Sequence, residues 1–243
     1  MPDTRKESTS RTLEHGLDVL LCFLKDNREL SLTEIAKAVN RNTTSTYRLI
    51  QTLTEKGFLA RNPENRKYSP GMTLKLLGNL VDDRRDLVLT AHPHLVRLHA
   101  EFNENVTIYI YHNFKRLCLD RIESTQPIHQ SVREGDELPL TRGAGGTALL
   151  AYLPSKVQTA VMRSDPGVPH ETLEDIRTRG YAVSYNEKGL GSTGIGVPIF
   201  DRNGNVLASL NISGPVNRMT VDIVQRCIPA MLRASQAITA ELP

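Results

Sequence analysis

The chain holds 243 residues, 39% of them apolar and 23% charged, enough for one large domain or a small one beside a medium one, with a real core. It has no low-complexity tract and no apolar run long enough to cross a bilayer as a helix. The formal net charge of +3 is local: residues 1–70 carry 12 Lys/Arg against 9 Asp/Glu, whereas residues 71–243 carry 18 of each.

The opening stretch, MPDTRKESTSRTLEHG, has basic residues but no apolar segment of signal-peptide type behind them, so the chain reads as cytoplasmic. From Leu13, the positions Leu17, Leu20, Leu21 and Leu24 keep helical spacing and predict a first helix. SLTEIAKAV begins with Ser31 and Glu34 three apart, a capping box in which each side chain satisfies a backbone N–H of the first turn. Leu32, Ile35, Ala36 and Val39 then form the buried face of a two-turn second helix. NRN interrupts it, and Thr43 is the expected N-cap of a third helix. There Thr46, Leu49, Ile50 and Leu53 mark the inward stripe. Thr44, Tyr47, Arg48 and Gln51 repeat that spacing two positions displaced and point outward.

Between Arg41 and Lys67, six basic residues meet two acidic ones, the footprint of a polyanion-binding module. The outward four, with Asn42, Thr43 and Ser45 at the helix mouth, are donors and acceptors able to reach base edges and phosphates. The helix start adds N–H groups and the positive end of the helix dipole. A merely solvated face is the bland alternative; three short helices with a brief break before the third favour a helix-turn-helix. GFLARNPENRKYSPG adds two short strands, Phe58–Arg61 and Arg66–Ser69, around a Pro-Glu-Asn turn. The result is a winged helix with Asn62, Asn65, Arg66 and Lys67 at the wing tip, placed for the phosphate backbone or a minor groove.

MTLKLLGNLVDDRRDLVLTAHPHLVRLHAEF keeps apolar spacing through Leu74, Leu77 and Leu80, then Leu87, Val88, Ala91, Leu95 and Leu98. The charged knot Asp82–Asp86 is the expected hinge or linker, and Pro93 should break the helix that follows. His92, His94 and His99 read as helix-surface histidines, since no carboxylate stands at a metal-motif spacing. Cys22, Cys118 and Cys227 form no CxxC pair and read as three buried thiols in a reducing compartment.

Beyond Asn105, VTIYIYH and KRLCLDRI are strands joined by a turn near Asn113–Phe114, and PIHQSVRE is a third strand. GAGGTALLAYL starts a helix ending at Pro154–Ser155, another helix runs to Arg163, and HETLEDIRTRG is a helix stopped by Gly180. Tyr181–Tyr185, Gly194–Phe200 and Val206–Ser213 return as strands, the last two joined by DRNGN. Thr220–Glu241 closes as a helix in which Pro229 is an awkward interior residue. An antiparallel sheet with helices packed on it is an α+β domain.

Two glycine stretches invite an enzyme reading. GLGSTG, Gly189–Gly194, matches GxGxxG, but a strand follows where a dinucleotide site needs a helix. RGAGG lacks the Lys-Ser/Thr ending of a nucleoside-triphosphate loop. Arg142 with the N–H groups of Gly143, Ala144 and Gly145 at a helix start would hold a carboxylate; alternatively, these glycines only permit tight packing. Ser209, Ser213, His112, His129 and Asp120 are too scattered to assemble a nucleophile and base from spacing. No catalytic residue, cofactor or metal is expected.

Three segments, SLTEIAKAVNRNTTSTYRLIQTLTEKGFLARNPENRKYSPG, LPLTRGAGGTALLAYLP (Leu138–Pro154) and RGYAVSYNEKGLGSTGIGVPIFDRNGNVLASLNISGP (Arg179–Pro215), together resemble the IclR family of bacterial transcription regulators in order and spacing. The resemblance implies a winged helix-turn-helix over residues 1–71, a helical linker over 72–86 and a GAF-like α+β effector-binding domain over 87–243. It implies a homodimer or dimer of dimers on a palindromic double-stranded DNA operator, and favours repression over activation. It places a small effector, a carboxylate, against Gly143, Ala144, Ser184, Ser192, Gly194, Asn211 and Ser213. Ser184 stands where relatives binding small keto acids have an acidic residue, Gly194 where they have Cys, and Asn211 where they have Ser. The implied pocket is roomier and still polar, suiting a hydroxylated or aromatic acid as well as a small one. An enzyme with an accessory helical domain and a pure protein-interaction module are the competing classes.

Overall fold

The computed structural model describes residues 10–24, 28–78, 82–128, 132–186 and 191–242. The chain divides into two compact units, Met1–Asp82 and Asp83–Pro243. The expected linker over 72–86 thus spans the end of the first and the beginning of the second.

In the first unit, α1 (Arg11–Leu21) passes into a 3₁₀ turn at Cys22–Leu24, followed by α2 (Leu32–Ala38) and α3 (Thr43–Glu55). The wing strands β1 (Leu59–Arg61) and β2 (Tyr68–Pro70) pair antiparallel, and α4 (Met72–Gly78) follows. The capping box at α2 is complete: Ser31 N–H donates to Glu34 Oε2 at 2.8 Å, and Glu34 N–H to Ser31 Oγ at 3.3 Å. Val19, Phe23, Leu30, Ile35, Ile50, Leu59 and Tyr68 form the core. The leucines of the first helical segment divide. Leu20 packs on that core, while Leu13, Leu17, Leu21 and Leu24 stay between 48% and 65% exposed along one side.

Two local boundaries differ from expectation. Asn42, not Thr43, caps α3: it keeps the extended backbone a cap needs, its Oδ1 accepts the Ser45 N–H at 2.8 Å, and Thr43 is already helical. The second wing strand begins at Tyr68 rather than Arg66, because Arg66 turns the tip with a left-handed φ of 58°.

In the second unit, α5 (Asp82–Phe102) takes in the charged residues 82–86 and leads to β3 (Asn105–His112) and β4 (Lys115–Ile122). Then come β5 (Glu137–Pro139), α6 (Gly143–Tyr152), α7 (Ser155–Ser164), α8 (His170–Arg179), β6 (Ala182–Tyr185), β7 (Ser192–Phe200), β8 (Val206–Pro215) and α9 (Val221–Glu241). The six strands lie in the order β5-β4-β3-β8-β7-β6, antiparallel at every pairing. The turn between β3 and β4 has positive φ at both Asn113 and Phe114, the backbone twist a two-residue hairpin requires. PIHQSVRE is not a strand in its described part, and His129–Ser131 lie outside the described residues. A turn through Gly135 (φ 86°), fastened by the Arg133 N–H on Asp136 Oδ2, returns the chain so that Glu137–Pro139 pairs with β4 instead.

Alternation gives the sheet two different faces. Val106, Ile108 and Ile110 of β3 and Ile195, Val197 and Ile199 of β7 join one cluster with α5 and α9. The other face meets α6, behind which α7 and α8 complete a second cluster. Pro93 does not break α5, nor Pro229 α9; both helices run through. Each proline is exposed, as is the residue one turn back (Leu89, Gln225), so the carbonyls that lose a donor lie on a side where water replaces it.

Cys118 and Cys227 are buried, and burial pushes both thiols up to about 12; Cys22 is only partly buried, contrary to expectation. The three histidines are not a plain surface set. His94 is buried, with Nε2 3.3 Å from Glu241 Oε2, while His92 Nδ1 pairs with Asp120 at 2.8 Å and His99 Nδ1 faces the Glu104 carbonyl at 3.2 Å. Among the described residues, no helix is long and apolar enough to cross a membrane.

The start of α6 rests directly on β7: a methyl group at Gly196 would lie 2.3 Å from the Ala144 carbonyl oxygen. Gly196→Ala should therefore cost about 1–3 kcal/mol of stability, because backbone on both sides must move. Urea unfolding of the full chain measures it.

Candidate nucleic-acid interface and effector site

The face of α3 follows from what its other face buries. Thr46 and Ile50 are fully buried, and Leu49 and Leu53 pack beside them. Thr46 is polar, but its hydroxyl donates to the Asn42 carbonyl at 2.9 Å, so its burial leaves no donor unsatisfied. Thr44, Tyr47, Arg48 and Gln51 are all exposed, and Gln51 Nε2 donates to the Tyr47 hydroxyl at 3.1 Å. Asn42 and Thr43 are exposed at the helix mouth, and Ser45 is half-buried with its hydroxyl on the Asn42 carbonyl. A groove of about 530 Å³ runs beside this mouth, lined by Thr12, His15, Arg41, Asn42, Ser45 and Arg48 among others.

At the wing tip Arg66 is exposed and Lys67 half-buried. Asn65 is already engaged: its Nδ2 donates to Glu29 Oε2 at 2.6 Å and its Oδ1 accepts the Lys67 N–H at 2.9 Å. Glu29 was not a candidate from the sequence, since nothing local marks a residue 36 positions before Asn65 as its partner.

In the second unit, α6 starts over the polar side of the sheet. The Ala144 N–H donates to Ser184 Oγ at 3.2 Å, and Ser209 Oγ donates to the Gly145 carbonyl at 2.7 Å. Gly194 pairs with both Ser184 and Ser213, and a methyl there would sit 3.3 Å from Ser184 Oγ and 3.6 Å from Ser213 Cβ. A methyl at Gly145 would lie 2.8 Å from the Tyr109 ring and 3.1 Å from Asn211 Oδ1. Ala144, Gly145, Ser184, Gly194, Asn211 and Ser213 are thus brought together, with Ser192 one pleat further along β7. The glycines do serve close packing.

Arg142 does not turn its charge to this helix start. Its Nη2 lies 3.5 Å from Asp165 Oδ1, and the Ala144 N–H expected to be free is taken by Ser184. A different arginine stands here. Arg116 Nη1 donates to the Arg142 carbonyl at 2.7 Å, and its guanidinium lies 4.8 Å from the centre of the Tyr109 ring. Burial pushes the Tyr109 phenol above its usual range, against the opposing pull of Arg116. Sequence alternation in VTIYIYH places Tyr109 on one face, but only the packing of Gly145 against its ring shows that α6 covers that face.

No described residues assemble a catalytic group. Ser209 is spent on Gly145, Asp120 on His92, and His112 faces Glu137 at 3.9 Å; His129 lies outside the described residues. Among the described residues, no cluster of His, Cys, Asp or Glu could hold a metal ion. Ser192 opens a strand, so the described end of GLGSTG has no helix for a pyrophosphate to meet.

The profile described as "Bacterial transcriptional regulator IclR C-terminal" matches residues 80–240, and "IclR helix-turn-helix domain" matches residues 12–63. The chain belongs to the IclR family. It is 26% identical to the transcriptional repressor IclR of Escherichia coli over 243 aligned residues, covering 94% of this chain and 89% of that one. The crystal structure of Thermotoga maritima IclR superposes with a TM-score of 0.74 at 29% identity, covering 95% of this chain and 98% of that chain. An IclR homologue from Microbacterium hydrocarbonoxydans, complexed with 4-hydroxybenzoate, shares the fold with a TM-score of 0.82 at 21% identity and the same coverage. IclR-family proteins are DNA-binding transcription regulators and not enzymes, which removes the enzyme alternative.

The cap assignment on α3 has a direct check. Asn42→Ala should cost about 1 kcal/mol of stability, and Thr43→Ala clearly less. A larger loss for Thr43→Ala in chemical denaturation would return the cap to that residue.

Proposed function

We propose that this IclR-family regulator inserts Thr43–Gln51 into the major groove of a palindromic operator, with the wing residues Arg66 and Lys67 on the flanking backbone. The observation carrying this is the exposed stripe Thr44, Tyr47, Arg48 and Gln51 opposite the buried Thr46 and Ile50. A long cation and two amide or phenol groups on one open helix face are the chemistry that reads base edges. Two-fold pairing, as a homodimer or dimer of dimers, would space half-sites about one DNA turn apart. The exposed Leu13, Leu17, Leu21 and Leu24 support self-association, because a stripe of that kind is covered in a stable protein. The protein acts in the cytoplasm as a repressor.

The effector in this proposal is a small organic acid bound between the start of α6 and the sheet, against Ala144, Ser184, Gly194, Asn211 and Ser213. Donors from hydroxyl, amide and helix-start N–H groups suit a carboxylate. The effector shifts operator affinity only by its differential affinity for the two arrangements of the regulator, typically about 1–3 kcal/mol.

Arg48→Ala should lose about 1–3 kcal/mol on a duplex selected by the wild-type protein from a randomised pool, and relax its base preference at one position. An unchanged affinity and preference would remove Arg48 from the reading set. Thermal unfolding of the full chain across keto acids, hydroxy acids and aromatic acids, 4-hydroxybenzoate included, should show selective stabilisation by one class. Stabilisation by none of them would sink the organic-acid assignment.

A further inference from the structure

Glu29 sits beside the wing because the backbone next to it is bridged there. The Leu30 N–H donates to the Tyr68 carbonyl at 2.9 Å and the Tyr68 N–H returns to the Leu30 carbonyl at 2.8 Å, so this segment is fastened to β2 by a single antiparallel bridge. The bridge sets the Glu29 carboxylate against both wing asparagines. Asn62 Nδ2 donates to its Oε1 at 2.9 Å, and Asn65 Nδ2 donates to its Oε2 at 2.6 Å. The other end of each carboxamide is used inside the wing: Asn62 Oδ1 accepts the Glu64 N–H and Asn65 Oδ1 the Lys67 N–H, both at 2.9 Å. Backbone bonds from Asn62 N–H to the Lys67 carbonyl and from Arg66 N–H to the Asn62 carbonyl close the tip around the left-handed Arg66. The amides of Asn65 and Asn62 hold the Glu29 carboxyl below the usual range, so it is a charged acceptor at neutral pH.

We propose that Glu29 is a positioning residue for operator binding: it clamps Asn62 and Asn65 so that the wing tip presents Arg66 and Lys67 to DNA. This rests on the operator reading above, and it reverses the role of Asn65 from DNA contact to internal strut. Plain electrostatics gives the opposite sign. A carboxylate near the DNA face repels phosphates, so its removal would by itself tighten binding.

The test titrates wild type, Glu29→Ala and Glu29→Gln with the selected duplex at two salt concentrations, alongside footprinting and thermal unfolding. Glu29→Ala should weaken affinity roughly fivefold or more, as expected for losing hydrogen bonds to a charged acceptor. It should flatten the salt dependence and erase protection on the wing side, while protection under α3 persists. Glu29→Gln, which keeps the shape and one acceptor oxygen, should weaken binding less; it decides the matter if Glu29→Ala fails to fold. Unchanged or tighter binding by a folded variant, or a uniform loss of all protection with a fallen melting temperature, overturns the clamp while leaving the operator reading intact. Absence of salt-dependent binding by the wild type would overturn both.

Discussion

The burial of Thr46 and Ile50 is the constraint from which the first unit takes its chemistry. A helix has one turn per 3.6 residues, so fixing two positions inside fixes the outward ones as well. Thr46 would be a poor anchor if its hydroxyl were stranded in the core. Turned back onto the Asn42 carbonyl, it is a small space-filling group with its donor satisfied. Asn42 does double service, its carboxamide oxygen capping the helix and its carbonyl receiving the hydroxyls of Ser45 and Thr46. The cluster of small polar residues at this helix start therefore has two jobs. Some of it builds the helix end, and only the remainder is available to a partner.

The second unit applies a comparable division to a sheet. One face of β3, β7 and β8 is continuous hydrocarbon under α5 and α9. The other carries glycine on β7 and serine and asparagine on β8, because the start of α6 lies too close for larger groups at Gly196, while Tyr109 of β3 packs against Gly145. Close approach brings backbone polar groups onto the sheet, and the serines are there to meet them. Ser184 takes the Ala144 N–H, and Ser209 meets the Gly145 carbonyl. An acid that is to reach the Ala144 N–H must first displace the Ser184 hydroxyl. On the proposed organic-acid reading, that makes Ser184 a competitor for the effector as well as a residue lining its site.

How much of this was legible depended on the distance between partners in the chain. The capping box at Ser31 and Glu34, the inward and outward stripes of α3 and the hairpin at Asn113–Phe114 are each decided within about one turn, and each was readable. Cap identity slipped by one residue because Asn42 and Thr43 are both good caps and only backbone conformation chooses between them. Pro93 was misjudged for another reason, and Pro229, rightly placed inside a helix, had no account for the same reason. A proline inside a helix costs a hydrogen bond, but how much depends on whether water can replace it, which is a matter of tertiary exposure. Likewise Arg142 looked like the cation of the helix start until Asp165 drew it aside and Arg116, from a strand, took that position. Side chains at the site that are recruited across the sheet leave no mark in local spacing.

The wing shows the same limit at its sharpest. Asparagine in a polar loop has the same appearance whether it meets a base, a phosphate or the loop's own backbone. Asn65 differs from a free contact residue only because Glu29 stands 36 positions earlier and Leu30 is hydrogen-bonded to Tyr68. With both ends of the two carboxamides occupied, much of the freedom of the tip is already lost in the protein alone. An ordered loop loses less conformational entropy when it docks than a mobile one does. On the proposed operator reading, the Glu29 carboxylate, at first sight a liability beside DNA, fits the cationic module around it: a modest repulsion is exchanged for a wing already held in one shape.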